Sequence, residues 1–128
     1  MKRLLFVCVE NSSRSQMAEA FARLHGAGRF EVFSAGSHPS GQVHPLTSEV
    51  MREIGYDLGQ HRSKSLADIP KGDYDVAVTM GCGDDCPLIS AKRRENWRLS
   101  DTKQMSAEEL RGVRDLIEQK VKELLAGL

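Results

Sequence analysis

Apolar and polar positions change period several times along the chain, and each change marks an element. Leu4 to Val9 is an unbroken run, Leu-Leu-Phe-Val-Cys-Val, without the alternation of a half-exposed strand. It predicts a fully buried strand over Arg3 to Val9. Met17, Phe21 and Leu24 then recur on one helical face until Gly26, and Ser13 with Gln16 three residues on has capping-box spacing, so a helix is expected to start there. Glu31 to Ala35 reads as a second short strand, closed by Gly36 and a loop carrying Pro39, Gly41 and Pro45. Pro45 suits a first helical turn. Leu46, Val50 and Ile54 form one stripe of a helix that Gly55 is placed to cap. Leu58 to Gly72 is polar and basic, with one helical turn around Ser65 to Asp68. Tyr74 to Met80 is a third buried strand, and residues 81 to 96 form a long loop containing a fourth strand that ends near Trp97. The last helix begins with Ser106 and Glu109 as a capping box and carries Leu110, Val113, Ile117, Val121 and Leu124 on one face.

Buried strands alternating with amphipathic helices predict an α/β fold with a parallel sheet covered on both sides. Ligands of such sheets gather at the carboxyl ends of the strands, where strand order reverses. The loop from Cys8 to Arg14 and the loop from Gly81 to Pro87 should therefore open on one edge. The 128 residues fit one domain, 1–128, with no linker, repeat or low-complexity tract. Eighteen basic and eighteen acidic residues cancel, so no global field draws the protein toward nucleic acid or membrane, and any preference for anions must be local. No run approaches a membrane span. Leu4 to Val9 after Met-Lys-Arg imitates a secretory signal, but the run is too short and Glu10 and Asn11 stand in place of a small-residue cleavage site. A cytoplasmic location and a monomer are expected. In that compartment three cysteines read as redox, catalytic or metal-binding groups and not as a disulfide framework.

The stretch VCVENSSRSQ, residues 7 to 16, carries the chemistry. A loop between a strand and a helix amino terminus aims backbone N–H groups at one spot, where the helix dipole adds partial positive charge. Arg14 supplies a fork of donors for two oxygens of a tetrahedral anion, and Asn11, Ser12, Ser13 and Ser15 can pin the loop or cap the helix. The same positive surroundings favour a nucleophilic thiolate on Cys8. The competing reading makes Cys8 one more buried hydrophobe. A zinc site built from Cys8, Cys82, Cys86 and a histidine is disfavoured, because no second cysteine pair or histidine sits at matching spacing; no metal is expected.

Cys8-Val-Glu-Asn-Ser-Ser-Arg14-Ser15 followed by Gln-Met-Ala-Glu resembles the phosphate loop of low-molecular-weight protein tyrosine phosphatases and of the thioredoxin-coupled arsenate reductases built on the same fold. Ser34-Ala35-Gly36 and the stretch from Trp97 through Asp101 to the last helix also match, so the likeness covers essentially the whole chain. It implies a three-layer sandwich in which a four-stranded parallel sheet, order 2-1-3-4, carries helices on both faces. Residues 8 to 15, Cys8, Val9, Glu10, Asn11, Ser12, Ser13, Arg14 and Ser15, are then the oxyanion-binding loop. MGCGDDCP, residues 80 to 87, favours a reductase, since a phosphatase has no use for a second thiol pair. The resemblance implies a relay in which Cys8 forms an arsenic adduct, Cys82 attacks Cys8, Cys86 attacks Cys82, and thioredoxin reduces the final disulfide. It also makes Asp101 the proton donor. The alternatives are a phosphomonoesterase using Cys8, Arg14 and Asp101, and a non-catalytic anion-binding or redox-sensing protein.

Five departures from the family pattern bear on these readings. Thr102 replaces the proline that usually follows the aspartate, and Lys103 and Gln104 stand where phosphatases carry a tyrosine pair that grips an aryl ring. Glu10 replaces a common glycine, so its carboxylate is expected to point away from the bound anion. Ser13 replaces a second loop cysteine found in many members. Lys64 lies where some reductases use an acidic residue to hold potassium, so its ammonium is expected to stand in for the ion. A solvated basic face formed by Arg62 and Lys64 is the other reading.

Overall fold

The computed structural model describes residues 1–81 and 89–128. Strands β1 (Lys2–Cys8), β2 (Phe30–Gly36), β3 (Tyr74–Thr79) and β4 (Ala91–Asn96) form one parallel sheet in the order β2-β1-β3-β4. The continuous apolar character of β1 follows from its place in the middle. Leu4, Phe6 and Cys8 enter one core cluster and Leu5 and Val7 enter another on the opposite face. Edge strand β4 has no such signal, because Lys92, Arg93 and Arg94 are exposed, the charged composition that protects an open sheet edge. That is why the sequence showed its end, near Trp97, but not its start.

Helices α1 (Arg14–Gly26), α2 (Pro45–Arg52) and α3 (Ala107–Ala126) contribute Met17, Phe21, Val50, Met51, Leu110, Ile117 and Val121 to the cluster that holds Phe6. Full burial of side chains of this size is worth about 1.5–3 kcal/mol each. The opposite cluster is closed by Ile69 with Leu66 and Ile89, Leu66 lying in a short 3-10 helix (Leu66–Asp68). A second 3-10 turn, Leu58–Gln60, precedes it, so the segment 58–72 holds two turns where the sequence led us to expect one.

Cap chemistry separates the readings that held from those that did not. Ser106 and Glu109 form the reciprocal box at the start of α3. Gly55, at φ +85°, ends α2 in a Schellman arrangement, with Gly55 N–H donating to Arg52 O and Tyr56 N–H to Met51 O. Ser13 and Gln16 form no box. The Ser13 side chain makes no cap hydrogen bond, its Oγ accepting instead from Thr47 Oγ1 at 2.8 Å, and Gln16 is wholly buried behind the loop. Leu24 and Ile54 are 50% and 38% exposed and lie off the core: the core side of α1 runs through Phe21 and Ala22, and α2 stops at Arg52.

Strand order reverses at β1, which has β2 on one side and β3 on the other. Met80 N–H donates to Val7 O at 2.8 Å and Trp97 N–H to Thr79 O at 2.8 Å, which carries the sheet register past the strand ends. Cys8, Gly81 and the segment after Trp97 therefore leave the sheet along one edge.

Helices α2 and α3 are joined by Glu53, which accepts from Arg111 and Arg114, while Arg114 Nη1 also donates to Val50 O. Hydrogen bonding from Arg111, then Arg114, holds the Glu53 carboxyl near 2 against an ordinary value of 4.5. A folded-state value below the unfolded one adds stability that is complete above 4.5 and lost as pH falls toward 2. The difference in urea midpoint between wild type and Glu53→Gln should thus be largest above about pH 5 and shrink to nothing near pH 2. A difference that stays constant over that range would contradict the ion-pair assignment.

Candidate active site

The loop after β1 turns its carbonyls outward. Cys8 O accepts from Ser37 N–H, Val9 O from His38 N–H, Glu10 O from Ser40 N–H and Ser63 Oγ, Asn11 O from Gln16 Nε2, Ser12 O from His44 N–H and Ser13 O from Met17 N–H. Every peptide here is trans. A trans peptide sets N–H opposite C=O, so the amides of residues 9, 10, 11 and 13, whose peptide carbonyls bond the segment 36–44, face away from that segment. Close approach of that segment requires Gly36, where a Cβ would come within 2.6 Å of Val9 O and 2.9 Å of Asn11 N.

Reversal of the chain inside the loop falls on Asn11, at φ +51°, a left-handed conformation that asparagine tolerates better than most residues. A directed chain of donors holds it there. Tyr56 OH lies 2.8 Å from His61 Nε2, and His61 Nδ1 lies 2.9 Å from Gln16 Oε1. Gln16 Nε2 donates to Asn11 Oδ1 at 2.9 Å, and Asn11 Nδ2 donates to Ser15 Oγ at 2.7 Å. Since Ser15 Oγ already accepts from Asn11, its own hydrogen is free for Cys8 Sγ, 2.9 Å away. Burial pushes the His61 imidazole below its ordinary value, against the pull of Glu19. A neutral ring with the proton on Nδ1 fits this chain, accepting from tyrosine and donating to the amide.

Cys8 opens into a cleft of about 160 Å³ lined by Val9, Glu10, Ser12, Ser13 and Arg14 on one side and by Gly81, Leu99, Asp101, Thr102 and Lys103 on the other. Arg14 is buried, and its Nη1 donates to Leu99 O at 3.2 Å, which fixes the fork and leaves its remaining donors for the cleft. Gly81, at φ +80°, makes room for it: a Cβ there would lie 2.5 Å from Arg14 Nη1. Asp101 lines the same cleft, its Oδ1 accepting from Lys103 N–H at 3.0 Å. That turn is built without proline at 102, where the buried Thr102 receives Met105 N–H on its carbonyl instead.

Three expectations change in the folded protein. The side chains of Asn11 and Ser15, both counted among the anion-binding residues, are fully buried behind the loop and hold it in place, so only backbone amides could face an anion there. Glu10 does not point away: it lines the cleft and its Oε1 is 2.6 Å from Lys103 Nζ. Lys64 is no solvated basic face, since its Nζ lies 3.6 Å from Glu19 Oε1, 3.5 Å from Ser34 Oγ and 3.0 Å from Arg62 O. Cys82 and Cys86 lie outside the described residues. Among the described residues no group of three His, Cys, Asp or Glu side chains could hold a metal ion.

Glu19 and His61 were given no role by the sequence, Gln16 was read as a helix-box partner and Ser34 only as part of the family match, so their place behind the loop was missed. Their signal was weak but present: polar residues at positions 16 and 19 sit on the buried side of a helix, where an unpaired polar group is costly.

Comparison with known proteins agrees with this geometry. The family model described as low molecular weight phosphotyrosine protein phosphatase matches residues 3–128. A Synechocystis protein named glutaredoxin arsenate reductase is 39% identical over 131 aligned residues, covering 100% of this chain and 99% of the relative. A solved structure described as an arsenate reductase in the phosphate binding state is similar at TM-score 0.90 and 38% identity, covering 99% of this chain and 98% of that one. A Corynebacterium glutamicum thioredoxin-dependent arsenate reductase gives TM-score 0.80 at 32% identity, covering 99% of this chain and 61% of that one.

Gly81→Ala forces a side chain into a positive-φ position and against the guanidinium. Calorimetric titration with inorganic phosphate should show affinity reduced about 10-fold, the scale of one charge-assisted hydrogen bond. Unchanged affinity in a variant of unchanged melting temperature would remove Arg14 from the anion site.

Proposed function

We propose that this chain, which belongs to the low molecular weight phosphotyrosine protein phosphatase family, reduces arsenate to arsenite with Cys8 as nucleophile and Cys82 and Cys86 as relay thiols. One observation carries the reading: Cys8 and Arg14 share a cleft with Gly81, the residue directly before Cys82 in the chain. Full-length similarity to a relative and a solved structure named as arsenate reductases supports it.

Arsenate is held by the loop amides of residues 9 to 14 and by Arg14. The Cys8 thiolate attacks arsenic(V) and forms a sulfur–arsenic bond, and one oxygen leaves as water with a proton from Asp101. Cys82, its proton given up to solvent, attacks Cys8 Sγ. The sulfur–arsenic bond breaks with its electron pair going to arsenic, which departs as arsenite, and a Cys8–Cys82 disulfide carries the oxidation. Cys86 attacks Cys82, releasing Cys8 as thiolate and leaving a Cys82–Cys86 disulfide. An external thiol donor returns the electron pair. Thioredoxin is the donor that a protein-borne dithiol relay suits, and the Corynebacterium relative is named for it. The name of the Synechocystis relative favours glutaredoxin as a second reading. Phosphomonoester hydrolysis needs only Cys8, Arg14 and Asp101, all on the one cleft.

NADPH loss in the presence of arsenate tests these steps, with thioredoxin and its reductase in one arm and glutathione, glutaredoxin and glutathione reductase in the other. Cys82→Ser and Cys86→Ser should fall to background in the arm that supports wild type, and the faster arm identifies the donor. Variants that match wild type would sink the relay, and steady aryl-phosphate hydrolysis without arsenate turnover would favour the phosphatase. Ser15→Ala should lower kcat about 10-fold to 100-fold, the weight of a hydrogen bond to a charged group, with phosphate affinity little changed. An unaltered kcat would mean that the hydroxyl does not serve the Cys8 sulfur.

A further inference from the structure

We infer that Glu10 and Lys103 form a charge gate across the mouth of the Cys8 cleft, which favours an unsubstituted tetrahedral oxyanion over a phosphate ester bearing an aryl or peptidyl group. The inference rests on the reading of the cleft as an oxyanion site, and it names two specificity-determining residues for it. Glu10 belongs to the loop between β1 and α1, and Lys103 to the segment between β4 and α3. These are the opposite walls of the cleft, and both side chains line it. Their contact, Lys103 Nζ to Glu10 Oε1 at 2.6 Å, joins the two walls on the solvent side of the buried Arg14.

Lys103 is placed by the same turn that places Asp101, since its N–H donates to Asp101 Oδ1. The Glu10 hydrogen bond raises the Lys103 ammonium above its ordinary value, so the ammonium keeps its charge at neutral pH. Four side chains of the cleft lining carry formal charge: Glu10, Arg14, Asp101 and Lys103. The pair cancels two of these at the rim and leaves the Arg14 fork, deeper in, as the guanidinium an anion meets.

Two consequences follow from electrostatics and shape. With both partners present, Glu10 repels no anion and Lys103 attracts none. Either one alone changes that with opposite sign. An ester additionally carries a substituent on its fourth oxygen that must leave the cleft past the bridged rim, whereas arsenate or inorganic phosphate fits beneath it. The pair is partly exposed, at 58% for Lys103 and 29% for Glu10. An exposed pair of this kind is weak and screened by salt, so it opens readily for entry and exit.

Calorimetric binding of inorganic phosphate and steady-state kinetics with para-nitrophenyl phosphate and arsenate test the gate in Glu10→Gln, Lys103→Met, the double variant and the charge swap Glu10→Lys with Lys103→Glu. Glu10→Gln frees the ammonium and should tighten phosphate binding. Lys103→Met leaves a bare carboxylate and should weaken it, each by about 3-fold to 10-fold at low salt, as for a screened charge at close range. The double variant should return to within about 2-fold of wild type, because the two opposed charges leave together. Its kcat/KM for para-nitrophenyl phosphate relative to arsenate should rise about 10-fold as the rim opens. The charge swap should restore both wild-type affinity and wild-type discrimination. Single variants that shift phosphate affinity in the same direction, or a double variant with unaltered discrimination, overturn the gate. Wild type that binds no phosphate overturns the underlying oxyanion reading instead, which keeps the two failures distinct.

Discussion

The site depends on six consecutive carbonyls, Cys8 to Ser13, each supplied with a donor from outside the loop. Buried peptide groups that lack partners cost on the order of a lost hydrogen bond apiece, so the loop can hold its curve only where those donors are in place. Four of the six are met from far along the chain, by Ser37, His38, Ser40 and His44 after β2 with Ser63 adding a second donor to Glu10, while Gln16 and Met17 in the first turn of α1 serve Asn11 and Ser13. Gly36 is the point at which the outer segment can approach without touching the loop backbone. The anion-facing amides are thus oriented by folding and need no rearrangement when charge arrives, which is what makes such sites effective in stabilising a developing anion.

Topology then fixes what can reach the cradle. Strand order reverses at β1, so the chain after β1, after β3 and after β4 meets at one edge. Arg14 is the join among them. Its backbone starts α1, its guanidinium bonds the carbonyl of Leu99 beyond β4, and it passes over Gly81 beyond β3. A single side chain therefore ties three segments to one register, and disturbing any of them moves the anion fork.

The sheet was legible because its central strands are buried on both faces and read as unbroken apolar runs. Cys8 and Arg14 were legible because their types and spacing fit a strand, loop and helix start. Asn11, Gln16 and His61 were harder. Gln16 fits a capping box by spacing alone, yet burial gives it to Asn11 and Arg62, since a fully buried amide finds partners wherever the tertiary structure supplies them. The contact of Glu10 with Lys103 joins residues far apart in sequence, and no local pattern announces it. Strand β4 stayed indistinct because an edge strand with three consecutive exposed cations carries no apolar period.

Behind the loop, Glu19 is buried with Arg23 Nε at 3.0 Å, His61 Nδ1 at 3.4 Å and Lys64 Nζ at 3.6 Å, and it accepts from Ser34. A buried carboxylate without partners is strongly destabilising, so these contacts constrain one another's positions. Lys64 has a second task, since its backbone N–H donates to Asn11 Oδ1 while its carbonyl accepts from Gly36 N–H. One of the two cations beside Glu19 is thus the same residue that pins the left-handed asparagine and the close-approach glycine. Charge pairing behind the loop and curvature of the loop are therefore linked through Lys64, whose side chain serves the one and whose backbone serves the other. That coupling leaves the cleft itself free to be tuned at its rim, where Glu10 and Lys103 touch neither Asn11 nor Glu19 through any hydrogen bond or ion pair among the described residues.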